Sequence, residues 1–266
     1  MAKIVVITGA NTGIGYETVK ALLQNDKEMP YRIFLGCRSL EKGEAARKQV
    51  LEEVPGTQST IDLLQVDVAS DASIKAAFAA VSKETDHIDA LVNNAGHALD
   101  PAYAKGELSL RDCWNQNFDV NVSGTDVMTH TFAPLLIKSK DARLLFLTSG
   151  LASNVDFAEN YYAGPAPTET GWPKTFVGRP TTYRATKAAL NMMMLNWHYL
   201  LKPDGVKTFS ISPGMLATGL GNIKDFLIAH GAGHPSLGGQ LIQKVVAGER
   251  DSDAGYIVNA TGRMNF

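Results

Sequence analysis

Tyr183 and Lys187 lie four residues apart in Tyr183-Arg184-Ala185-Thr186-Lys187, and the Ala188, Ala189, Leu190, Met193 and Met194 that follow favour a helix. Positions i and i+4 of a helix share a face, so the phenol and the ammonium can point into one cleft. A phenol titrates at about 10 in water, and a cation beside it stabilises the phenolate, bringing the group towards proton exchange at neutral pH. Taken alone, the pair also reads as an amphipathic helix with a surface lysine, so its surroundings must decide. Leu147-Thr148-Ser149-Gly150 closes an apolar run. A serine there can donate a hydrogen bond to a substrate oxygen, the bland alternative being a turn-forming serine. Asn93-Asn94-Ala95-Gly96 closes a second such run and brings amide groups to the same rim, although asparagines at strand ends also make plain turns.

A third run leads into Thr8-Gly9-Ala10-Asn11-Thr12-Gly13-Ile14-Gly15, and Val19, Leu22 and Leu23 follow with helical spacing. Glycines between a strand and a helix let the backbone turn sharply and approach a pyrophosphate, while the open N–H groups and positive end of the helix face the anion. Without a ligand the same residues make a tight strand-to-helix turn. Their Gly-x3-Gly-x-Gly spacing departs from the commoner Gly-x-Gly-x-x-Gly fingerprint. The run after it ends Leu35-Gly36-Cys37-Arg38-Ser39, with no carboxylate before Glu41. An acid at that point would bind a ribose 2'-hydroxyl and an arginine a 2'-phosphate. Arg38 is therefore read as a phosphate-binding guanidinium rather than a solvated surface residue, and NADPH is expected in preference to NADH.

The elements that must hold these groups follow from apolar patterning. Lys3 to Thr8, Arg32 to Gly36, Thr60 to Val66, Ala90 to Asn93, Arg143 to Thr148 and Val206 to Ile211 read as strands that are apolar on both faces. Residues 40–53 and 71–84 carry helical apolar spacing between charged residues. Strands buried on both faces, joined by helix-length connections, predict an α/β fold with a doubly wound parallel sheet of Rossmann type. No repeat or linker divides the 266 residues, so a single domain is expected. Residues 153–180 interrupt the rhythm with several prolines and glycines and with Tyr161, Tyr162 and Trp172, and read as an inserted loop.

Twenty-five basic residues against 27 acidic ones give a net charge of -2, which offers no global field for nucleic acid or an anionic membrane. Cys37 and Cys113 cannot build a disulfide framework, and neither a signal peptide nor a spanning segment is legible, so a cytoplasmic setting is expected. Met192, Met193 and Met194 beside Trp197 read as core filling. His230 and His234 sit without helical spacing or nearby cysteines, so no metal site is expected. His97, Leu99, Met215 and Leu216 are candidates for contact with a substrate.

Thr8 to Gly15, Asn93 to Gly96, Ser149, Tyr183 with Lys187, and Pro213-Gly214 together resemble the short-chain dehydrogenase/reductase family, in order and over almost the whole chain. The Gly-Cys-Arg-Ser turn and the long Ser-to-Tyr interval look further like its NADPH-dependent carbonyl reductases. The resemblance implies reversible reduction of an aldehyde or ketone to an alcohol, with Tyr183 as general acid and Ser149 orienting the carbonyl oxygen. It implies that Lys187 binds the nicotinamide ribose and lowers the Tyr183 pKa, and that Asn121 holds the water of a proton relay. It assigns to the cofactor Gly9, Asn11, Thr12, Gly13, Ile14, Gly15, Arg38, Asp67 at the adenine, Val68, Asn94, Ala95, Gly96, Tyr183, Lys187, Pro213, Gly214, and Thr218 at the carboxamide. Two departures stand out. Ser149 and Tyr183 are 34 residues apart where the family's interval is near a dozen, and Thr12 stands where NADPH-preferring relatives often carry Lys or Arg. The extra length falls in residues 153–180, leaving monomer and homo-oligomer both open. A cofactor-sensing binding protein without turnover and an NAD-dependent alcohol dehydrogenase are the rival readings.

Overall fold

The computed structural model describes residues 2–159, 170–172 and 180–266. The strands are β1 (Lys3–Ile7), β2 (Tyr31–Cys37), β3 (Thr60–Gln65), β4 (Ala90–Asn93), β5 (Arg143–Leu147), β6 (Lys207–Ile211), β7 (Ile257–Val258) and β8 (Arg263–Met264). Among the described residues they form one sheet in the order β3-β2-β1-β4-β5-β6-β7-β8, parallel throughout except for the antiparallel β7–β8 pair. This is the doubly wound Rossmann-type α/β sheet that the apolar runs require. Each of the six expected strands lies within one residue of its expected bounds. The last two are two residues each, too short to show a period.

The helices are α1 (Gly13–Gln24), α2 (Leu40–Glu53), α3 (Asp71–Glu84), α4 (Asp100–Ala104), α5 (Leu110–Phe118), α6 (Gly124–Leu136), α7 (Asn154–Ala158), α8 (Thr181–Leu201), α9 (Lys224–Ala229) and α10 (Ser236–Ala247). Alternate strand residues feed two cores. Val5 and Ile7 join Val19 and Leu22 of α1, Val50 of α2 and Leu241 of α10 on one face. Val6 and Phe146 join Ile74 of α3, Phe132 of α6 and Met194 of α8 on the other. α2 and α3 start where Ser39 and Ser70 accept hydrogen bonds from Lys42 and Ser73 N–H.

Two expectations need correction. Met194 is fully buried, but Met192 is 68% exposed, because three consecutive helical residues point in three directions and cannot all face the sheet. The stretch read as a loop from residue 153 opens instead with α7, whose first turn is capped by Ser153 and tied by Asn154 and Val155 N–H to the Phe266 carbonyl. Trp172 is exposed; Tyr161 and Tyr162 lie outside the described residues.

Candidate active site

The chain runs outward from β1 through β2 to β3, then returns to the other side of β1 at β4. Strand order reverses there, so the carboxyl ends of β1, β4 and β5 open on a crevice, the usual ligand position of such sheets. Thr8 and Gly9 after β1, Asn94 after β4 and Ser149 after β5 stand at these strand ends.

At the end of β1, Gly9 has φ +63°, a left-handed conformation that disfavours a side chain. A Cβ on Gly15 would come within 2.4 Å of the Gly9 carbonyl oxygen, so the turn closes only with glycine there. Thr12, at the start of α1, forms no side-chain cap and no acid occupies the first turn, leaving the positive end of α1 open towards the crevice. Asn94 holds the turn from β4: its Nδ2 donates to the Thr8 and Gly9 carbonyls at 2.7 and 3.1 Å. Thr8 Oγ1 accepts the N–H groups of Asn94 and Ala95 at 3.0 Å each. Thr218 lies 3.8 Å from where a Cβ on Gly13 would stand, so the segment after β6, with Pro213 and Gly214, folds back over the glycine turn. Between them lies a cleft of about 500 Å³ lined by Thr12, Gly13, Ala217, Thr218 and Lys224 among others. An open helix end and a backbone that excludes side chains fit a pyrophosphate.

Arg38, just beyond β2, is exposed, and among the described residues no carboxylate pairs with its guanidinium. Asp67 follows β3 and accepts the Ala69 N–H at 3.1 Å, while Val68 is buried with its carbonyl against Gly124.

α8 carries Tyr183 and Lys187 on the face predicted. Lys187 is 5% exposed, donates to the Leu147 carbonyl at 2.6 Å, and places its ammonium 5.6 Å from the centre of the Tyr183 ring. Ser149, one residue beyond Thr148 at the end of β5, stands close enough to the Tyr183 phenol to lower its titration. Burial pushes the Tyr183 phenol up to about 12, against Ser149, and the Asp100 carboxylate raises it. Burial pushes Lys187 down to about 8. The Lys187 ammonium donates its hydrogen bond to Leu147 and lies over the Tyr183 ring.

Asn121 stands in a π-helical turn, Asp119–Ser123, between α5 and α6, a distortion often found at functional sites. Its Oδ1 accepts the His97 N–H at 2.9 Å, and its Nδ2 donates to the His97 carbonyl at 2.9 Å and Thr186 Oγ1 at 3.1 Å. A Cβ on Gly96 would lie 3.0 Å from Asn121 Oδ1 and 3.5 Å from Lys187 Nζ, so bare backbone at residue 96 leaves room between the two. Of the substrate-contact candidates, Met215 is 51% exposed and Leu216 is buried, while His97 Nε2 pairs with the Gln116 carbonyl. His230 and His234 are exposed and pair locally with the Phe226 carbonyl and Ser236.

Sequence reasoning missed Asp100. It is 4% exposed and takes hydrogen bonds from Thr182 N–H at 2.8 Å, Thr182 Oγ1 at 2.8 Å and Tyr183 N–H at 3.0 Å. Nothing local links two residues 82 apart; the acid beside Pro101 looks like the start of α4 and nothing more.

Comparison with known proteins places the chain. The short chain dehydrogenase family model matches residues 3–164. A short-chain dehydrogenase/reductase of Talaromyces stipitatus, tropE, is 45% identical over 98% of this chain and 97% of its own length. A Phoma relative, the short-chain dehydrogenase/reductase eupG, is 44% identical over 94% and 92%. An NADPH-bound carbonyl reductase from chicken fatty liver superposes with a TM-score of 0.78 at 24% identity, covering 100% of this chain and 99% of its own, a likeness of fold. The chain belongs to the short-chain dehydrogenase/reductase family, oxidoreductases that use nicotinamide cofactors. No helix among the described residues is long and apolar enough to cross a membrane.

Proposed function

We propose that this enzyme reduces an aldehyde or ketone to the alcohol, reversibly, with NADPH. The carrying observation is the meeting of Ser149, just beyond β5, with Tyr183 and the buried Lys187 of α8, whose ammonium lies 5.6 Å from the Tyr183 ring centre. NADPH, when bound, supplies the hydride. The Tyr183 phenol gives its proton to the carbonyl oxygen that Ser149 orients, so the developing alkoxide is neutralised as it forms. A phenol held at about 12 is loaded as a donor at neutral pH, which favours the reductive direction. Lys187 holds the cofactor ribose, and Asn121 keeps a water through which the phenolate regains its proton from solvent. The turn of Gly9, Asn11, Thr12, Gly13, Ile14 and Gly15 takes the pyrophosphate, Asp67 and Val68 border the adenine, and Asn94, Ala95, Gly96, Pro213, Gly214 and Thr218 complete the walls. Arg38, exposed and free of a carboxylate partner among the described residues, takes the 2'-phosphate.

The test is reduced-nicotinamide absorbance with a panel of aldehydes and ketones, each cofactor in turn. Tyr183→Phe is expected to lose about 10²–10⁴-fold in kcat while still binding cofactor. Arg38→Ala is expected to raise KM for NADPH about tenfold and leave KM for NADH nearly unchanged. Equal use of NADH and NADPH by the parent enzyme would overturn the cofactor assignment, and tight binding with no turnover on any carbonyl would make the protein a sensor.

A further inference from the structure

Tyr183 occupies the third position of α8, whose N-cap, Pro180, supplies no side-chain cap. A helix start of this kind leaves its first N–H groups unpaired and frays readily. Asp100 of α4 supplies what is missing. Its Oδ1 accepts the Thr182 N–H at 2.8 Å; its Oδ2 accepts the Tyr183 N–H at 3.0 Å and the Thr182 hydroxyl at 2.8 Å. Asn117 Nδ2, from α5, reaches the same Oδ2 at 3.4 Å and also bonds the Thr182 hydroxyl. Asp100 is buried, and among the described residues no Lys, Arg or His pairs with it. A carboxylate taken out of water without a counter-ion is costly, so such a group is retained where charge-assisted bonds to backbone N–H and the positive end of a helix compensate it.

We propose that Asp100 is a positioning residue for the reaction: it clamps the first turn of α8 by its backbone and so holds the Tyr183 phenol at Ser149. This rests on the functional reading above. Among the described residues, the charged groups beside Tyr183 are Asp100 from α4 and, on its own helix, Lys187 and Arg184; the guanidinium of Arg184 lies over the Phe157 ring. The polar groups are Ser149 after β5, Asn117 and the Cys113 thiol of α5, and Asn121 beyond Thr186. A negative charge near the phenol disfavours the phenolate, so removing it moves the phenol's titration to lower pH.

The full-length enzyme carrying Asp100→Asn, which keeps the shape and removes the charge, is assayed for carbonyl reduction and alcohol oxidation from about pH 6 to 11. NADPH binding is followed by fluorescence. We expect cofactor affinity within about twofold of the parent and kcat about tenfold lower. Both the rise of oxidation and the fall of reduction with pH are expected to move to lower pH. Thr182→Val, which loosens the clamp but keeps the charge, is expected to lower kcat without moving the pH profile. A folded Asp100→Asn enzyme whose kcat and profile overlay the parent's would overturn the proposal; if that variant does not fold, an unaltered kcat in Thr182→Val does the same. Tyr183→Phe run in parallel separates the two claims. Full turnover without the phenol sinks the functional reading itself, whereas an inactive Tyr183→Phe beside an unaltered Asp100→Asn sinks this inference alone.

Discussion

Burial, rather than mutual attraction, governs the two titrating groups at the rim, and it works in opposite senses on them. The charged form is disfavoured in each case, so the Tyr183 phenol rises and the Lys187 ammonium falls, the latter from 10.5 to about 8. The lysine then has a measurable cost. Between those two values the unfolded chain binds more protons at this position than the folded one, so stability of the cofactor-free protein rises with pH across that window. Urea unfolding of the parent should show a gain of about 2 kcal/mol from pH 7 to 9.5 relative to Lys187→Met, which lacks the titrating group. Parallel pH curves for the two proteins would contradict a buried ammonium. At this scale much was legible in the sequence: the i, i+4 spacing alone brought phenol and ammonium to one face, and serine at a strand end brought Ser149 to them. The direction of the phenol's shift was not, because it depends on how much water α4 and α5 exclude.

At the scale of elements, what positions the cofactor turn is the approach of α10 to α1. A Cβ on Gly239 would lie 2.4 Å from the backbone carbonyl of Glu17, so the two helices touch backbone to backbone only because residue 239 has no side chain. Gly239→Val should push them apart, costing about 1–3 kcal/mol in urea unfolding, and should weaken cofactor binding because α1 carries Gly13 and Gly15. Unchanged stability and affinity would show that the contact is slack. Next to the π-helical turn at Asp119–Ser123, a Cβ on Gly124 would meet the Val68 carbonyl at 2.1 Å, so α6 starts hard against the segment after β3, and Asn121 of the turn reaches Thr186 and His97. Neither feature announces itself in the sequence. A glycine inside an amphipathic helix has the same letter whether it faces solvent or another backbone, and the turn at 119–123 lies within an otherwise ordinary helical stretch. Helices α2 and α3, by contrast, were readable to the residue from their apolar spacing, and the structure adds the serine that caps each.

For the molecule as a whole, the active rim lies at the carboxyl ends of the strands, while the other end is tied by charge. Arg143, 2% exposed at the start of β5, pairs with Asp141 and Asp251 at 2.8 Å, and Lys207 of β6 and Lys3 of β1 also reach Asp141. Burial works against the Asp141 charge, but hydrogen bonds from Arg143, Lys207 and Lys3 outweigh it and hold the carboxyl well below the ordinary range. Its contribution is therefore present above about pH 4, where an unfolded aspartate is already ionised, and is lost as pH falls further. Asp141→Asn should lower stability at pH 7 by about 1 kcal/mol, an amount reduced by partial solvent exposure, and should flatten the acid limb of unfolding; an identical acid limb in both proteins would show the cluster to be inert. Composition and apolar runs determined the six central strands, their parallel pairing and the glycine turn, because those rest on periodicity and on connection length, which are local. Tertiary structure alone decided that Asp100 holds a helix 82 residues away, that Asn94 braces the glycine turn, and that Met192 faces solvent while Met194 faces the core. Each of these depends on which surfaces meet once the sheet has formed, and a linear pattern carries the faces of an element but not the identity of what covers them.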